Sequence, residues 1–120
     1  MDERIENAGQ LYDRAVLSGD ASGLPQAGRE LDAAEAELAL ARGKLAHLRF
    51  LLQRDENPDE AREDPDELPL FERAARLYAG LGDVRGEGEA LFWVGCCFQV
   101  VRRDNAAAGP VPGTFFAFCK

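Results

Sequence analysis

Leucine recurs every seven residues between positions 24 and 52, and a second apolar residue follows three positions after most of these leucines. The leucines are Leu24, Leu31, Leu38, Leu45 and Leu52, and the second set is Ala27, Ala34, Ala41 and Leu48. This spacing is typical of a helix that packs an apolar seam against another helix, and it predicts one long helix over 24–54. Two interpretations stay open, a coiled coil between two copies of the chain or an amphipathic helix packed within its own domain. Gly28 and Gly43 favour the second because glycine weakens an isolated helix.

Apolar residues at intervals of three and four predict three further helices. They span residues 2–18, 66–80 and 86–103. The apolar stripe of the first helix consists of Ile5, Ala8, Tyr12 and Ala15. The predicted fold class is therefore all-α, with a single helical domain over 1–107.

Residues 55–65 are rich in acids and contain two prolines. Crowded like charges resist compaction, so this segment is predicted to be a solvated acidic linker. A calcium loop needs acids at alternating positions and a glycine for its turn. The segment contains no glycine, and its acids fall in pairs instead.

The most apolar stretch is GEALFWVGCCFQVV, residues 88–101. It lacks the alternation of a half-buried strand and is longer than the usual ~5–6 residues of one. Leu91, Val94, Gly95 and Phe98 fall at helical spacing and predict one packed face. Because this helix is apolar on nearly all sides, we expect neighbours to bury it from more than one direction.

These four residues, followed after a turn by Ala107, resemble the first helix of a tetratricopeptide repeat. Phe71, Ala74 and Leu77 resemble the second helix of the preceding repeat. The resemblance is to bacterial tetratricopeptide proteins with a period of about 40 residues, and it covers 66–107.

This resemblance implies antiparallel helical hairpins stacked as a short α-solenoid. It also implies a module that binds a peptide or protein between its helices and catalyses no reaction. Polar residues on the first helices of the repeats would then contact the partner. The candidates are Gln99, Arg102 and Arg103.

The segment after Ala107 departs from the repeat pattern. Pro110 and Pro112 prevent a regular helix where the second helix of the repeat is expected. We therefore predict an irregular tail over 108–120, in a repeat protein that is truncated or altered in reading frame after about two repeats. The Phe115–Phe118 segment and the Leu24–Leu52 repeat are two candidate surfaces for self-association.

The three cysteines and the single histidine are the candidates for chemistry. Cys96 and Cys97 point about 100° apart on a helix, so they neither bond to each other readily nor chelate one metal ion. We predict that both pack in the core, that Cys119 is exposed and that His47 is solvated. No catalytic residue, metal or cofactor is expected, and a small thiol redox protein remains the alternative from another class, beside a dimeric coiled-coil regulator.

The net charge of −8 argues against nucleic acid and against an anionic membrane surface as partners, since both require clustered basic residues. The chain has no apolar run of about 18 residues, and its charged first residues lack the apolar core of a secretory signal. A cytoplasmic location is therefore predicted. Abundant arginine and alanine with little lysine are typical of a bacterial genome rich in GC.

Overall fold

The computed structural model describes residues 2–102, and the described part is helical with no strand. The α-helices are α1 (Glu3–Ser18), α2 (Leu24–Glu56), α3 (Glu67–Leu81) and α4 (Val84–Cys96). A π-helical segment, Cys97–Val101, continues α4 directly. The four helices pack against one another, which confirms the predicted all-α class.

Consecutive helices run antiparallel. Arg4 of α1 contacts Glu37 of α2, whereas Asn7 contacts the earlier Glu30. Along α2 and α3 the same order holds, with Arg73 beside Glu35 and Glu67 beside His47. The contacts of Phe71 with Trp93 and of Tyr78 with Gly86 place α4 antiparallel to α3.

Side-chain caps begin α1 and α4, and left-handed glycines end α1 and α3. The Asp2 carboxylate accepts a hydrogen bond from the Arg4 backbone N–H at 2.8 Å, and Asp83 accepts one from Gly86 N–H at 2.9 Å. Gly19 and Gly82 end α1 and α3 with φ of 77° and 72°, a left-handed conformation that glycine adopts without steric cost. The acidic linker connects α2 and α3 as residues 57–66, because α2 continues to Glu56.

The core lies where α2, α3 and α4 meet. Its buried residues are Ala36, Ala39, Leu40, Phe71, Ala74, Ala75, Tyr78 and Ala90. Small residues of one helix face aromatic residues of the next. A Cβ on Gly43 would lie 2.5 Å from the Phe71 ring, and one on Gly86 would clash with the Tyr78 ring in the same way. These two glycines therefore set how closely the three helices approach.

The heptad leucines lie on the opposite side of α2 from this core. Helix α1 covers the beginning of that side, where Ala27 is buried and Leu31 and Ala34 are half-buried. Beyond the first turn of α1 the side is open to solvent. The heptad residues are therefore packed within their own domain, as predicted, only in the first part of the Leu24–Leu52 repeat.

Helix α1 contacts α2 through two alanines and a leucine. Ala8, Leu11 and Ala15 are half-buried, and no residue of α1 is fully buried. The predicted stripe was wrong at Ile5 and Tyr12, which are exposed. Leu11 lies in the contact face instead, and its side chain packs against the backbone at Gly23.

The predicted packed face of α4 was wrong at Leu91, which is 53% exposed. Val94 and Phe98 are half-buried and Gly95 is buried. Ala90 and Gly86 form the centre of the contact face instead, because they have room for the Tyr78 ring. This rotates Leu91 toward solvent.

Helix 86–103 also differs from its prediction in its boundaries. The α-helix begins at Val84, and its regular hydrogen bonding ends at Cys96. Arg102 N–H donates to the carbonyl of Cys97 at 3.0 Å, five residues earlier. The predictions for Arg103, Ala107, Cys119, the Phe115–Phe118 segment and the irregular tail over 108–120 lie outside the described residues.

Candidate protein-docking surface

A groove of about 690 Å³ runs between α2 and α3. Leu45 and Ala46 from α2 and Pro69 and Leu70 from α3 form its apolar floor, and Asp64 and Asp66 lie at one end. Four arginines line it, namely Arg42, Arg49, Arg73 and Arg76. Their spacing follows from helix geometry, since residues three, four or seven positions apart lie on one face.

Three of these four arginines form no ion pair with another described residue. Arg73 lies 3.2 Å from a Glu35 oxygen, whereas no carboxylate of residues 2–102 pairs with Arg42, Arg49 or Arg76. In a chain of net charge −8, four arginines against Asp64 and Asp66 give the groove a local excess of positive charge. Guanidinium groups in this arrangement favour carboxylates or phosphates as ligands.

The open part of the heptad side borders this groove. We call Leu38, Leu45, Leu48 and Leu52 the leucine stripe; these side chains are 50–56% exposed. Leu45 belongs to both the stripe and the groove, and Arg42 and Arg49 line the edge of the stripe nearest α3. The groove and the stripe therefore form one surface, apolar along its centre and basic along one border.

A buried polar pair holds α2 and α3 together behind this surface. His47 Nδ1 lies 3.4 Å from Glu67 Oε2, and both residues are buried. The edge of the His47 ring meets Trp93 at a centroid distance of 5.5 Å. The prediction of a solvated His47 was wrong, because His47 lies one turn after Gly43 on the core side of α2 and faces the first turn of α3.

Cys96 and Cys97 are both buried, as the sequence predicted. Burial raises the pKa of the Cys97 thiol well above its usual range, and the carboxylates of Glu67 and Glu63 raise it further. The Cys97 sulfur lies 3.9 Å from a Glu63 oxygen. A thiol in these surroundings stays protonated and is a poor nucleophile, which counts against a redox role for Cys97.

Of the residues predicted to bind protein, the structure describes Gln99 and Arg102, and it places neither in the groove. Arg102 lies 2.8 Å from Glu63, and its guanidinium lies over the Phe98 ring at 5.2 Å. Gln99 is half-buried, and its side-chain oxygen has no hydrogen-bond partner among residues 2–102. Arg102 thus joins the linker to the π-helical segment.

A second cavity of about 560 Å³ lies between α2 and α4, beside Phe92 and Trp93. The ion pair between Lys44 and Glu89, at 3.1 Å, crosses its edge. Two of its three charged groups are thus already paired with each other, and Arg85 is the third.

The described part of the chain contains neither a candidate metal site nor a candidate membrane span. No three His, Cys, Asp or Glu side chains there are grouped so as to hold a metal ion. None of the helices in 2–102 combines the length and apolarity of a membrane span.

Comparisons of the chain with protein-family models, curated proteins and solved structures found no match.

Proposed function

We propose that this chain is a protein-interaction module that binds a peptide or protein along the leucine stripe and the adjoining groove. It performs no catalysis of its own. The observation that carries the proposal is an apolar pattern that runs without interruption along one side of α2. Helix α1 packs on the first part of that side, and the same apolar pattern continues uncovered through Leu52.

The energetics of the stripe support a binding role. Because each leucine is already about half-buried, covering it contributes about half of the roughly 1.5–3 kcal/mol gained by burying a fully exposed leucine, before the costs of association are subtracted. Four half-exposed leucines on one helix face form a contiguous apolar surface of the kind that marks interaction sites. The buried contacts on the opposite side of α2 keep this surface in place on a rigid helix.

A tetratricopeptide-like arrangement belongs to the same proposal, together with a bacterial source and a cytoplasmic location. Its support is the antiparallel order of α2 and α3 and the packing of α4 against both. In this arrangement α2 and α3 form one hairpin and α4 begins the next. The contacts of Phe71 with Gly43 and Trp93 support it as well, since Phe71 is one of the residues that carry the resemblance.

A peptide-display selection tests the proposed function. Random peptides on phage are selected against the chain and then tested against Leu45→Asp/Leu52→Asp. The matched control is Leu17→Asp/Val84→Asp, which changes two exposed apolar residues elsewhere. We expect enriched peptides that bind the control and lose binding to the stripe variant. Enrichment of no peptide, or equal binding to both variants, would contradict the proposal.

A dimeric coiled-coil regulator is the second candidate, and the exposed heptad leucines favour it. Sedimentation of the chain and of Leu38→Asp distinguishes it from the first candidate. A dimer that becomes a folded monomer in the variant supports the regulator, whereas a monomer in both supports binding of a different partner.

A further inference from the structure

We infer that the partner of this surface is an acidic amphipathic helix. Its apolar residues would lie on the leucine stripe, and its carboxylates would bind Arg42, Arg49 and Arg76. This inference rests on the proposed function and specifies the chemistry of its ligand.

The shape of the stripe fits one helix. From Leu38 to Leu52 it extends about 21 Å at the α-helical rise of 1.5 Å per residue. Helix α1 already packs antiparallel on the preceding part of the same side, and its first turn lies beside Glu37. A second helix on the stripe would continue the line of α1 and would use the same kind of contact.

The charges on the two borders of this side differ. On the border toward α1 the acids of α2 already have partners, since Arg4 forms an ion pair with Glu37 and the Asn7 amide donates a hydrogen bond to Glu30. On the border toward α3, Arg42 and Arg49 have no such partner among residues 2–102. Arg76 lies across the groove and also has no ion-pair partner among residues 2–102. Carboxylates at helical spacing on the incoming helix would meet these guanidinium groups.

The same charges disfavour a second copy of the chain as the occupant. The midpoint between Arg42 and Arg49 nearly coincides with the midpoint of the stripe. A two-fold antiparallel pairing about that point would place Arg42 of one copy opposite Arg49 of the other, twice in each dimer. A parallel pairing would bring together the first halves of two α2 helices, where α1 covers the same side. Like charges brought together in the antiparallel pairing are destabilising, and α1 occupies the surface that the parallel pairing would need.

Two synthetic peptides of about 15 residues, matched in length to the stripe, test the inference. One carries leucine at intervals of three and four with glutamate elsewhere, and the other has lysine in place of each glutamate. Fluorescence anisotropy of labelled peptides measures their binding. The acidic peptide should bind at least about tenfold more tightly than the basic one, and added salt should weaken it.

A charge reversal gives the decisive comparison. Arg42→Glu/Arg49→Glu should lose about tenfold or more in affinity for the acidic peptide and should gain affinity for the basic one. The control Arg14→Glu/Arg85→Glu makes the same change in net charge at exposed positions outside the groove, and it should leave the preference unchanged. Circular dichroism establishes that each variant is folded.

Three results would overturn the inference. In the first, both peptides bind equally well and both lose binding to Leu45→Asp/Leu52→Asp. The proposed function then stands, and only the acidic character of the partner is wrong. In the second, neither peptide binds and the chain sediments as a dimer that Leu38→Asp dissociates, so that a second copy is the occupant. In the third, neither peptide binds and the chain is a monomer; the inference then fails, and the peptide-display selection decides whether the proposed function stands.

Discussion

His47 Nδ1 lies 3.4 Å from Glu67 Oε2, with the two side chains 5% and 0% exposed. The pair joins the middle of α2 to the first turn of α3. His47 Nε2 and Glu67 Oε1 have no hydrogen-bond partner among the described residues. Such a pair aligns two helices while contributing less to stability than its burial suggests, because both groups lose hydration.

Removing one member of this pair should therefore cost more than removing both. His47→Leu leaves the Glu67 carboxylate buried without its partner, and we expect a loss of about 3–5 kcal/mol in the free energy of unfolding. His47→Leu/Glu67→Leu should lose less than His47→Leu alone. Urea unfolding followed by circular dichroism measures both. With Glu67→Leu as the second single change, additive losses from the two single changes would show that the residues do not interact.

The approach of α3 to α2 depends on Gly43. Gly43→Ala places a methyl group against the Phe71 ring, which is fully buried, and should destabilise the chain by about 1–3 kcal/mol. Gly28→Ala is the control in the same helix, with no atom within 4 Å of the new Cβ. It should stabilise the chain by up to about 1 kcal/mol, since alanine favours the helix. Equal effects of the two changes on thermal unfolding would contradict this packing.

The raised pKa of Cys97 predicts a loss of stability at alkaline pH. A cysteine thiol ordinarily ionises near pH 9.0, and in the folded chain burial holds the proton to higher pH. The stabilisation is complete below pH 9.0 and declines as the pH rises above it, because the unfolded chain then releases its proton first.

Urea unfolding at a series of pH values measures this decline. Cys97→Ala should reduce its slope, while the buried Tyr78 phenol, whose pKa is also raised, contributes the same remaining decline in both proteins. An identical slope for the variant and the parent chain would show that Cys97 is not protonated preferentially in the fold.

The leucine stripe should contribute little to the stability of the isolated chain. Leu38 is 55% exposed, so Leu38→Asp should change the free energy of unfolding by about 1 kcal/mol or less. Phe71→Ala, which opens a cavity in the core, should cost about 3–5 kcal/mol. Global unfolding of Leu38→Asp would place the stripe in the core and would remove the docking surface.

The sequence predicted the extent of α2 well but not which of its sides forms the core. The large leucines dominate its periodicity, whereas the core side is built mainly of alanine and Gly43. Gly43, for example, packs because α3 supplies Phe71 opposite it. The sequence of α2 by itself cannot show which side is the core side, since the aromatic partner Phe71 lies more than 25 positions after Gly43.

The groove was missed for a related reason. Arg42 and Arg49 are seven residues apart and Arg73 and Arg76 are three apart, so each pair predicts one basic helix face. That the two faces meet follows only from the antiparallel packing of α2 on α3. His47 was misjudged in the same way, because its partner Glu67 appears in the sequence as the end of an acidic segment.

The most direct test of the docking surface is an NMR titration of the isotope-labelled chain with the acidic peptide, followed through the backbone amide signals. The account predicts that chemical shifts change along α2 from 37 to 52 and along α3 from 70 to 76. Changes confined to residues 84–101, the region of Gln99 and of the cavity beside Phe92, would contradict it.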